Sequence, residues 1–365
     1  MATVTKTIGA TGRDYSTITA WEADLDNDTP YDASDDAVGE CYDDADFDMQ
    51  NDFTLDGGAT LGLATVKLTV AEGERHDGTA GTGVRVYTST TTAYRWIPVP
   101  PNTTKYSLII EWLELDGSDE GAANQLYSAN SAPSSSYVTM LRNCILHNTE
   151  KRLINSTSRD TRIQNNLLYN CGINKNSSQT IGIYLRNRDT GCGFYNNTMH
   201  YIRSGSTSAS AKLQFLYNSQ NWSTTRIINN LATSFDLPNS SSTLKYGFYS
   251  GASKTPYSNT DRYKNNADET ESAITYMLDG TVGSSACITG VTPANIYNST
   301  TYGSEDLRLK DNTEILGAGS DEGTSNNLSI DIEGYDRDDA SAWDIGADQF
   351  VAATTVGASF AMFVD

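Results

Sequence analysis

The sequence predicts an all-β fold, one elongated right-handed parallel β-helix with a short capping helix at its N-terminal end. Three observations predict it: short apolar runs between turn residues, an internal Asn-Asn repeat, and no long stretch of helical periodicity. Parallel strands without crossover helices are most simply connected by coiling. We expect an N-terminal strand and capping helix in residues 1–36, the solenoid in residues 37–350 and a tail in residues 351–365.

The first residues of the chain have the pattern of a strand followed by a helix. Residues 2–8 alternate, and the glycines within residues 9–12 end the run. Ser16 is the expected N-cap of a helix that carries Ile18, Trp21 and Leu25 on one face. A helix at this place would cover the N–H and C=O groups that the first coil otherwise leaves unpaired.

An asparagine repeat between residues 137 and 267 is the most informative signal in the chain. Its matched asparagines stand 22, 31, 33 and 36 positions apart, which fits one bare coil and then coils with loop insertions. Asparagine tolerates the left-handed bend between strands, and side chains stacked every ~4.8 Å can hydrogen-bond along the rod. We expect roughly twelve coils, with turns along one edge at Asn143, Asn165, Asn196, Asn229 and Asn265.

The charge of the chain restricts its partners. It has 25 basic and 46 acidic residues, a formal net charge of −21, which repels nucleic acid, anionic lipid and polyanionic polysaccharide. We therefore expect no nucleic acid and no membrane as a partner. No run of residues has the length of a membrane span, and the first residues lack the regions of a signal peptide. This suggests synthesis in the cytoplasm, unless an export signal has been removed.

The five cysteines and three histidines are scattered along the chain. The cysteines form no CxxC pair, so we interpret them as small buried side chains rather than as disulfides or metal ligands. The spacing of the histidines likewise predicts no zinc site.

Three motifs occur in residues 12–21, 75–83 and 306–350. They resemble the N-terminal cap, an early turn and the closing coil of the pectate-lyase-like β-helix superfamily, especially of marine phage and bacterial members without assigned enzyme activity. Because these motifs are structural, the resemblance implies the fold and no particular activity. Within the last motif we expect Arg337 and Asp344 to form a buried ion pair that ties the last turn, rather than a catalytic pair.

Enzymes of this superfamily carry machinery that is incomplete here. The resemblance implies a calcium-binding acidic cluster beside a basic proton acceptor for lyases, and Asn-Thr-Asp, Asp-Asp and Gly-His-Gly runs for hydrolases. Residues 259–261 are Asn-Thr-Asp, but the next Asp-Asp is at 338–339, several coils away, and Gly-His-Gly is missing. The sequence leaves enzyme activity open, with a polysaccharide lyase or a glycoside hydrolase as the classes to consider.

One segment and one tryptophan supply the candidates for chemistry and ligand binding. Arg186 and Asp189, on a predicted strand or its edge, are the candidate catalytic residues, and an exposed ion-pair face is the alternative. Tyr184, Arg188 and Trp222 are the candidate binding residues, because aromatic rings stack on sugars. Ordinary surface filling is the alternative for the aromatic residues.

An acidic turn near the N-terminus is the candidate metal site. Asp24, Asp26 and Asp28 imitate the start of a calcium loop, but Thr29 stands where Gly is expected and Pro30 follows. A solvated acidic turn is the alternative. We expect no cofactor apart from a structural divalent cation at this turn.

These features favour a virion surface protein of phage type: a tail spike, fibre segment or capsid decoration protein that binds or stabilises rather than catalyses. The alternatives are a glycan depolymerase of the tail-spike type and a fragment of a bacterial adhesin, placed outside the cell or on its surface. Symmetric association usually covers the flat ends and faces of such rods. The expected partners are other copies of the chain in a trimer that buries Phe360 and Phe363, other virion proteins, and a host surface glycan.

Overall fold

The computed structural model confirms the all-β parallel β-helix, with two short α-helices in the part of the chain that it describes. The structure describes residues 1–27, 29–49, 53–89, 98–99, 106–117, 125–129, 137–156, 160–172, 179–185, 192–203, 212–218, 225–236, 244–250, 263–264, 266–268, 287–311, 314–322, 328–339 and 342–351.

The elements follow one another in short steps. The first part of the chain contains β1 (Thr3–Ile8), α1 (Ile18–Ala23), β2 (Asp36–Cys41), β3 (Phe47–Asp48), β4 (Thr65–Val70), β5 (Arg85–Tyr87), β6 (Pro98–Val99), β7 (Ser107–Glu111), β8 (Glu114–Asp116) and β9 (Gln125–Ala129). The middle part contains β10 (Thr139–Arg142), β11 (Ile145–Thr149), β12 (Arg152–Ser156), β13 (Thr161–Gln164), β14 (Leu167–Cys171), β15 (Gln179–Leu185), β16 (Gly193–Tyr195), β17 (Thr198–Arg203), β18 (Lys212–Asn218), β19 (Arg226–Ile228), β20 (Leu231–Asp236) and β21 (Leu244–Ser250). The last part contains β22 (Tyr263–Lys264), β23 (Ala267–Asp268), β24 (Ile288–Thr289), α2 (Pro293–Ile296), β25 (Tyr297–Ser299) and β26 (Asp306–Leu309).

Three parallel sheets form the walls of the rod. Sheet A has the strand order β1-β2-β4-β7-β10-β13-β16-β19-β22, sheet B has the order β3-β5-β8-β11-β14-β17-β20-β23-β24, and sheet C has the order β6-β9-β12-β15-β18-β21. Eight levels of the described chain have a strand in both sheet A and sheet B, and β1 and β24 each add a level with one strand. Six of these ten levels have a strand in all three sheets, so the expectation of about twelve coils is wrong. The coils are fewer because loop insertions lengthen them and because the described residues between 291 and 351 do not coil.

The N-terminal strand and helix form as expected, with one difference at the helix start. Thr17, not Ser16, is the N-cap of α1, and its hydroxyl accepts the Ala20 N–H at 3.0 Å. Ile18 and Trp21 are buried in the main core, and the indole N–H of Trp21 donates to the Tyr31 hydroxyl at 2.9 Å. β1 pairs with β2 over its full length, so the first strand is part of sheet A.

The first asparagine of each repeat lies at the corner between sheets A and B, as predicted. Asn143, Asn165, Asn196 and Asn229 have φ values of 51°, 53°, 51° and 58°, the left-handed conformation that asparagine tolerates better than most residues. Asn265 lies outside the described residues. The repeat therefore marks the point where each coil turns from one sheet to the next.

The second asparagine of each repeat forms the hydrogen-bonded ladder. The side-chain amide of Asn166 donates to Asn197 Oδ1 at 2.9 Å, that of Asn197 to Asn230 Oδ1 at 2.9 Å, and that of Asn230 to Asn266 Oδ1 at 3.0 Å. All four side chains are fully buried. The same amides donate to backbone carbonyls of the preceding coil, such as Asn197 to Ile163 at 2.9 Å. The ladder thus satisfies backbone groups that the corner leaves without a strand partner.

The described part of the last motif does not form a closing coil, since β26 pairs antiparallel with β25. The described residues between 291 and 351, here called the C-terminal strap, turn back and cover the outer face of sheet B and the A–B corner. A second apolar core lies between them, with Ile145, Leu167, Tyr169 and Leu231 on the sheet side and residues of the strap opposite, among them Ile296, Tyr297, Leu307, Ile315, Ile332 and Ile345. Sheet B is therefore buried on both faces, which explains its near-continuous apolar strands.

The first asparagines of the repeats also hold the strap. Asn165 donates to the carbonyl of Ile330 at 2.7 Å, and Asn143 donates to the carbonyl of Asp331. Asn229 makes two bonds with Ser320, donating to its carbonyl at 2.8 Å and accepting its N–H at 2.9 Å. In the repeats at residues 165–166 and 229–230, the first asparagine thus bonds to the strap and the second bonds within the rod.

Gly346 lies in close contact with the rod. It has a φ of 114°, and its N–H donates to the carbonyl of Asn229 at 2.8 Å. A Cβ at this position would lie 2.7 Å from the Thr198 hydroxyl, which itself accepts the Ala347 N–H. Only glycine fits here, because both the conformation and the space exclude a side chain.

We predict that Asn197→Ala destabilises the protein by about 3 kcal/mol, because it leaves the Asn166 N–H buried without a partner and removes the amide that bonds to Asn230 and to the Ile163 carbonyl. The measurement is the shift of the urea unfolding midpoint. The control is Asn155→Ala, which removes a partly buried amide that makes one side-chain bond, to Gln125 at 3.2 Å, and should cost below about 1 kcal/mol. Equal shifts for the two variants would contradict a special role of the ladder.

Candidate functional site

The outer face of sheet C carries a row of polar and aromatic side chains. Asn155, Tyr184 and Tyr217 occupy equivalent positions on three neighbouring strands. All three are partly exposed. The Tyr184 and Tyr217 rings are 5.5 Å apart, and the Arg152 guanidinium lies 4.7 Å from the centre of the Tyr184 ring. We call Asn155, Tyr184, Tyr217 and Arg152 the tyrosine face.

The rigid sheet fixes the spacing of this face. The strands below the rings are in register over most of their length, and Ile154, Ile183 and Leu216 anchor them in the interior with no exposed surface. Neighbouring parallel strands lie about 4.8 Å apart, so the two rings are presented at a fixed step. Such a surface can stack on apolar faces of sugar rings with little loss of side-chain entropy.

Most of the residues that the sequence singled out near this face lie outside the described chain. Tyr184 is in β15, but Arg186, Arg188 and Asp189, which follow that strand, are among the undescribed residues, and so is Trp222. The structure shows only that β15 and β18, the strands that precede these residues, end side by side, with Leu185 opposite Asn218. Their candidate roles stay predictions.

A second cluster combines two carboxylates and a histidine on the outer face of sheet B. His147 Nε2 lies 2.9 Å from Glu114 Oε1, and its Nδ1 lies 3.6 Å from Asp116 Oδ1. Arg85 on the next strand forms an ion pair with Asp116, and its Nε lies 3.8 Å from Glu114. The Tyr169 ring stacks on the imidazole at 4.9 Å with nearly parallel planes.

The charged groups in this cluster stabilise the charged forms of their neighbours. Burial disfavours the charged form of His147, but hydrogen bonding to Glu114 and the charge of Asp116 outweigh it and raise its pKa. Burial likewise opposes ionisation of Asp116, yet His147 and Arg85 lower its pKa. The arrangement resembles an acid–base pair, but the Glu114, Asp116 and His147 side chains are only 2%, 5% and 8% exposed. Substrate could reach them only through a movement of the surroundings.

A third cluster lies within the strap. Asp331, Glu333 and Asp348 each place a carboxylate oxygen within 4.8 Å of the others. Burial raises the pKa of Asp331 and of Asp348 to about 7, since their neighbours Arg337 and the backbone amides compensate only in part. Sequence reasoning did not find this cluster, because its members are ordinary acids separated by up to 17 positions in a loop-rich segment.

The expected ion pair between Arg337 and Asp344 does not form as a direct contact. Arg337 is fully buried and donates to the carbonyls of Gly346, at 2.9 Å, and Ala347. Asp344 accepts N–H groups from Gly317 and Phe350 at 2.6 and 2.7 Å. Backbone groups therefore hold both side chains: carbonyls accept from Arg337, and N–H groups donate to Asp344.

A pocket of about 580 Å³ opens beside Asp344. Its lining combines the aromatic rings of Tyr335 and Phe350 with the carboxylates of Asp336, Asp339 and Asp344. The Tyr335 side chain is 50% exposed. An aromatic ring beside carboxylates is a second surface of the strap that could hold a polyhydroxylated ligand.

The acidic turn near the N-terminus makes structural hydrogen bonds in the part that the structure describes. Asp24 accepts the Tyr15 hydroxyl at 2.9 Å and the Asn27 amide at 2.8 Å. Asp26 Oδ1 accepts the N–H groups of Gly58 and Thr60 at 2.8 and 3.0 Å. Asp28 lies outside the described residues, so the cation at this turn stays a prediction.

Glu114, Asp116 and His147 were missed by the sequence reasoning, although one signal could have found two of them. Glu114 and Asp116 interrupt an otherwise apolar strand that is buried on the inside. Acidic residues in such a run need a partner, and His147 supplies it from the following coil, 33 positions after Glu114.

The burial of the cysteines agrees with their interpretation as small interior side chains. Cys41, Cys144 and Cys171 are buried free thiols, Cys192 is buried, and Cys287 is partly buried. No protein family, no curated protein and no solved structure matches this chain. Among the described residues, no helix is both long enough and apolar enough to span a bilayer.

We predict that His200→Gln reduces the loss of stability in mild acid. Burial under the strap lowers the pKa of His200 to about 4, so the unfolded chain, with a value of about 6.5, binds the proton first as the pH falls. Stability is therefore lost from about pH 6.5 downward, by about 2 kcal/mol between pH 7 and pH 5. Urea midpoints of the variant and the parent at the two pH values measure this.

His147→Gln is the control for that experiment, because the pKa of His147 is raised and the sign is opposite. Its contribution to stability is present below about pH 6.5 and is lost as the pH rises through the folded-state pKa. His147→Gln should therefore steepen the decline in acid while His200→Gln flattens it. The same pH dependence in both variants would contradict this assignment.

Proposed function

We propose that this chain is a virion surface protein of phage type, a tail spike, fibre segment or capsid decoration protein that binds a glycan and stabilises the particle. The supporting observation is the tyrosine face, which presents two rings and a guanidinium at fixed spacing on a rigid sheet. The sequence motifs that resemble those of phage and bacterial members of the pectate-lyase-like superfamily support the same class.

The charge of the protein favours a neutral glycan as the ligand. With a net charge of −21, the protein repels polysaccharides rich in carboxylates, whereas a neutral sugar feels little of that field. Stacking on Tyr184 and Tyr217 uses the apolar faces of sugar rings and requires no charge on the ligand. Arg186, Arg188, Asp189 and Trp222 belong to the segments that follow these strands, and we propose that they extend the same binding surface.

A glycan depolymerase is the second candidate function, and the Glu114–Asp116–His147 cluster is the observation that favours it. Two carboxylates and a histidine within 4.8 Å could act as acid and base in glycan cleavage. We favour binding, because all three side chains have structural partners and little exposure. Glu114→Gln, Asp189→Asn and Arg186→Ala test the alternative in an assay of reducing ends and unsaturated uronate.

We predict that the protein binds envelope glycan of the host without cleaving it, and that Tyr184→Ala and Tyr217→Ala each weaken binding about tenfold (about 1.4 kcal/mol). Capsular polysaccharide and lipopolysaccharide preparations immobilised on a biosensor provide the measurement. Tyr302→Ala is the matched control, since this tyrosine is 50% exposed but lies on the strap. Unchanged binding in both sheet C variants would contradict the site, and turnover abolished by any of the three carboxylate or arginine variants would replace binding by catalysis.

We also propose that the chain associates with itself as a trimer through the tail around Phe360 and Phe363, which lies outside the described residues. Light scattering after size exclusion should give three times the chain mass of 39.6 kDa. Deletion of residues 352–365 should reduce this to a single chain mass. A monomer before deletion would contradict the proposal without affecting the glycan-binding test.

A further inference from the structure

The third carboxylate cluster carries more negative charge than the protein around it neutralises. Six carboxylates and two guanidinium groups interact at this place in the described chain. The carboxylates belong to Asp77, Asp306, Asp331, Glu333, Asp344 and Asp348, and the guanidinium groups to Arg308 and Arg337. An excess of buried carboxylates is costly unless a cation or protons compensate it.

Most of these carboxylates accept hydrogen bonds, and the excess negative charge lies where such donors are missing. Asp306 accepts from Arg308 at 2.7 Å and 2.8 Å. Asp331 Oδ1 accepts the N–H groups of Glu333 and Tyr335 at 2.9 and 2.8 Å, and its Oδ2 accepts that of Gln349 at 3.0 Å. The remaining excess is therefore centred between Glu333 and Asp348.

Asp348 is the side chain that points to a ligand. It is 2% exposed, and its Oδ2 accepts the Leu309 N–H at 2.6 Å. Its Oδ1 is buried and receives no hydrogen bond from the described chain. The nearby carboxylate of Glu333 has no proton to donate when it is ionised, and its own nearest cation, Arg308 Nη1, is 3.7 Å away.

We propose that Asp331, Glu333 and Asp348 form a binding site for a hard divalent cation, with Ca²⁺ as the ion that fits. Three carboxylate oxygens within 4.8 Å of one another can share one Ca²⁺, because oxygen ligands at about 2.3–2.6 Å lie at most about 4.6–5.2 Å apart. Mg²⁺ keeps several water ligands and is usually held by one or two carboxylates, so a buried group of three carboxylates suits Ca²⁺ better. The donors are all oxygen, which disfavours zinc.

The position of the site gives the ion a structural role. Asp331 and Glu333 belong to the passage of the strap that Asn143 and Asn165 hold, while Asp348 belongs to the passage next to Gly346. One ion would connect the two passages and also β26, through the Leu309 N–H that Asp348 accepts. The cation would therefore hold these passages of the strap together where they cover sheet B. This inference is independent of the proposed glycan binding.

The test is titration of chelator-treated full-length protein with CaCl₂ at pH 8, followed by calorimetry and by thermal unfolding. We expect a binding event of one Ca²⁺ per chain at this site and a rise of the unfolding temperature on saturation. Glu333→Gln should weaken that binding tenfold or more and abolish the thermal response. Asp348→Asn provides a second variant with the same expectation.

Two controls separate this site from other acidic residues. Asp338→Asn changes an exposed carboxylate in the same segment, and Asp24→Asn changes the N-terminal acidic turn. Both should keep the calcium affinity and the thermal response. Circular dichroism of each variant confirms that the β-helix is folded before the comparison is made.

Three results would overturn the proposal. The first is an absence of calcium binding in the parent protein at pH 8. The second is binding that Asp24→Asn removes and Glu333→Gln does not. The third is stabilisation of the parent on acidification from pH 8 to pH 6 without any response to Ca²⁺, which would show that Glu333 and Asp348 share a proton instead of an ion.

Discussion

The turn between sheets A and B is the constraint on which the rest of this structure depends. A parallel coil must change direction sharply there, and it leaves backbone groups inside the corner that no strand pairs. Two adjacent asparagines solve both problems. The first adopts the left-handed conformation, and the second, as in Asn197, bonds to the coils on either side of it. The stacking of the coils and the docking of the strap both follow from this pair.

The same corner also explains how the strap is positioned. Its apolar side chains bury the outer face of sheet B, but apolar contact alone would allow the strap to slide along a surface of repeating coils. Asn143, Asn165 and Asn229 prevent this, because each bonds to a different backbone group of the strap. Gly346 fixes the register further, since a residue with a side chain at this position would collide with Thr198.

The sequence predicts the parts of this architecture that depend on neighbouring residues. The left-handed turn at Asn143, the buried face of the first helix and the parallel pairing are local properties of residue type and spacing. The strap was not predicted, because its contacts join residues as distant as Asn143 and Asp331, which are 188 positions apart. The Glu114–His147 contact was missed for the same reason, since the coil length, and not a local motif, brings these residues together.

The difference between the covered outer face of sheet B and the exposed outer face of sheet C bears on function more directly than any single residue does. The strap occupies the outer face of sheet B, and the histidine and carboxylate groups of that face are buried. The outer face of sheet C, by contrast, presents Tyr184 and Tyr217 in a partly exposed row. A rod that uses its titratable groups to hold itself together and leaves a row of aromatic rings partly exposed supports the binding role that we propose. Binding through rings on a hydrogen-bonded sheet loses little entropy, because the sheet has already fixed their spacing.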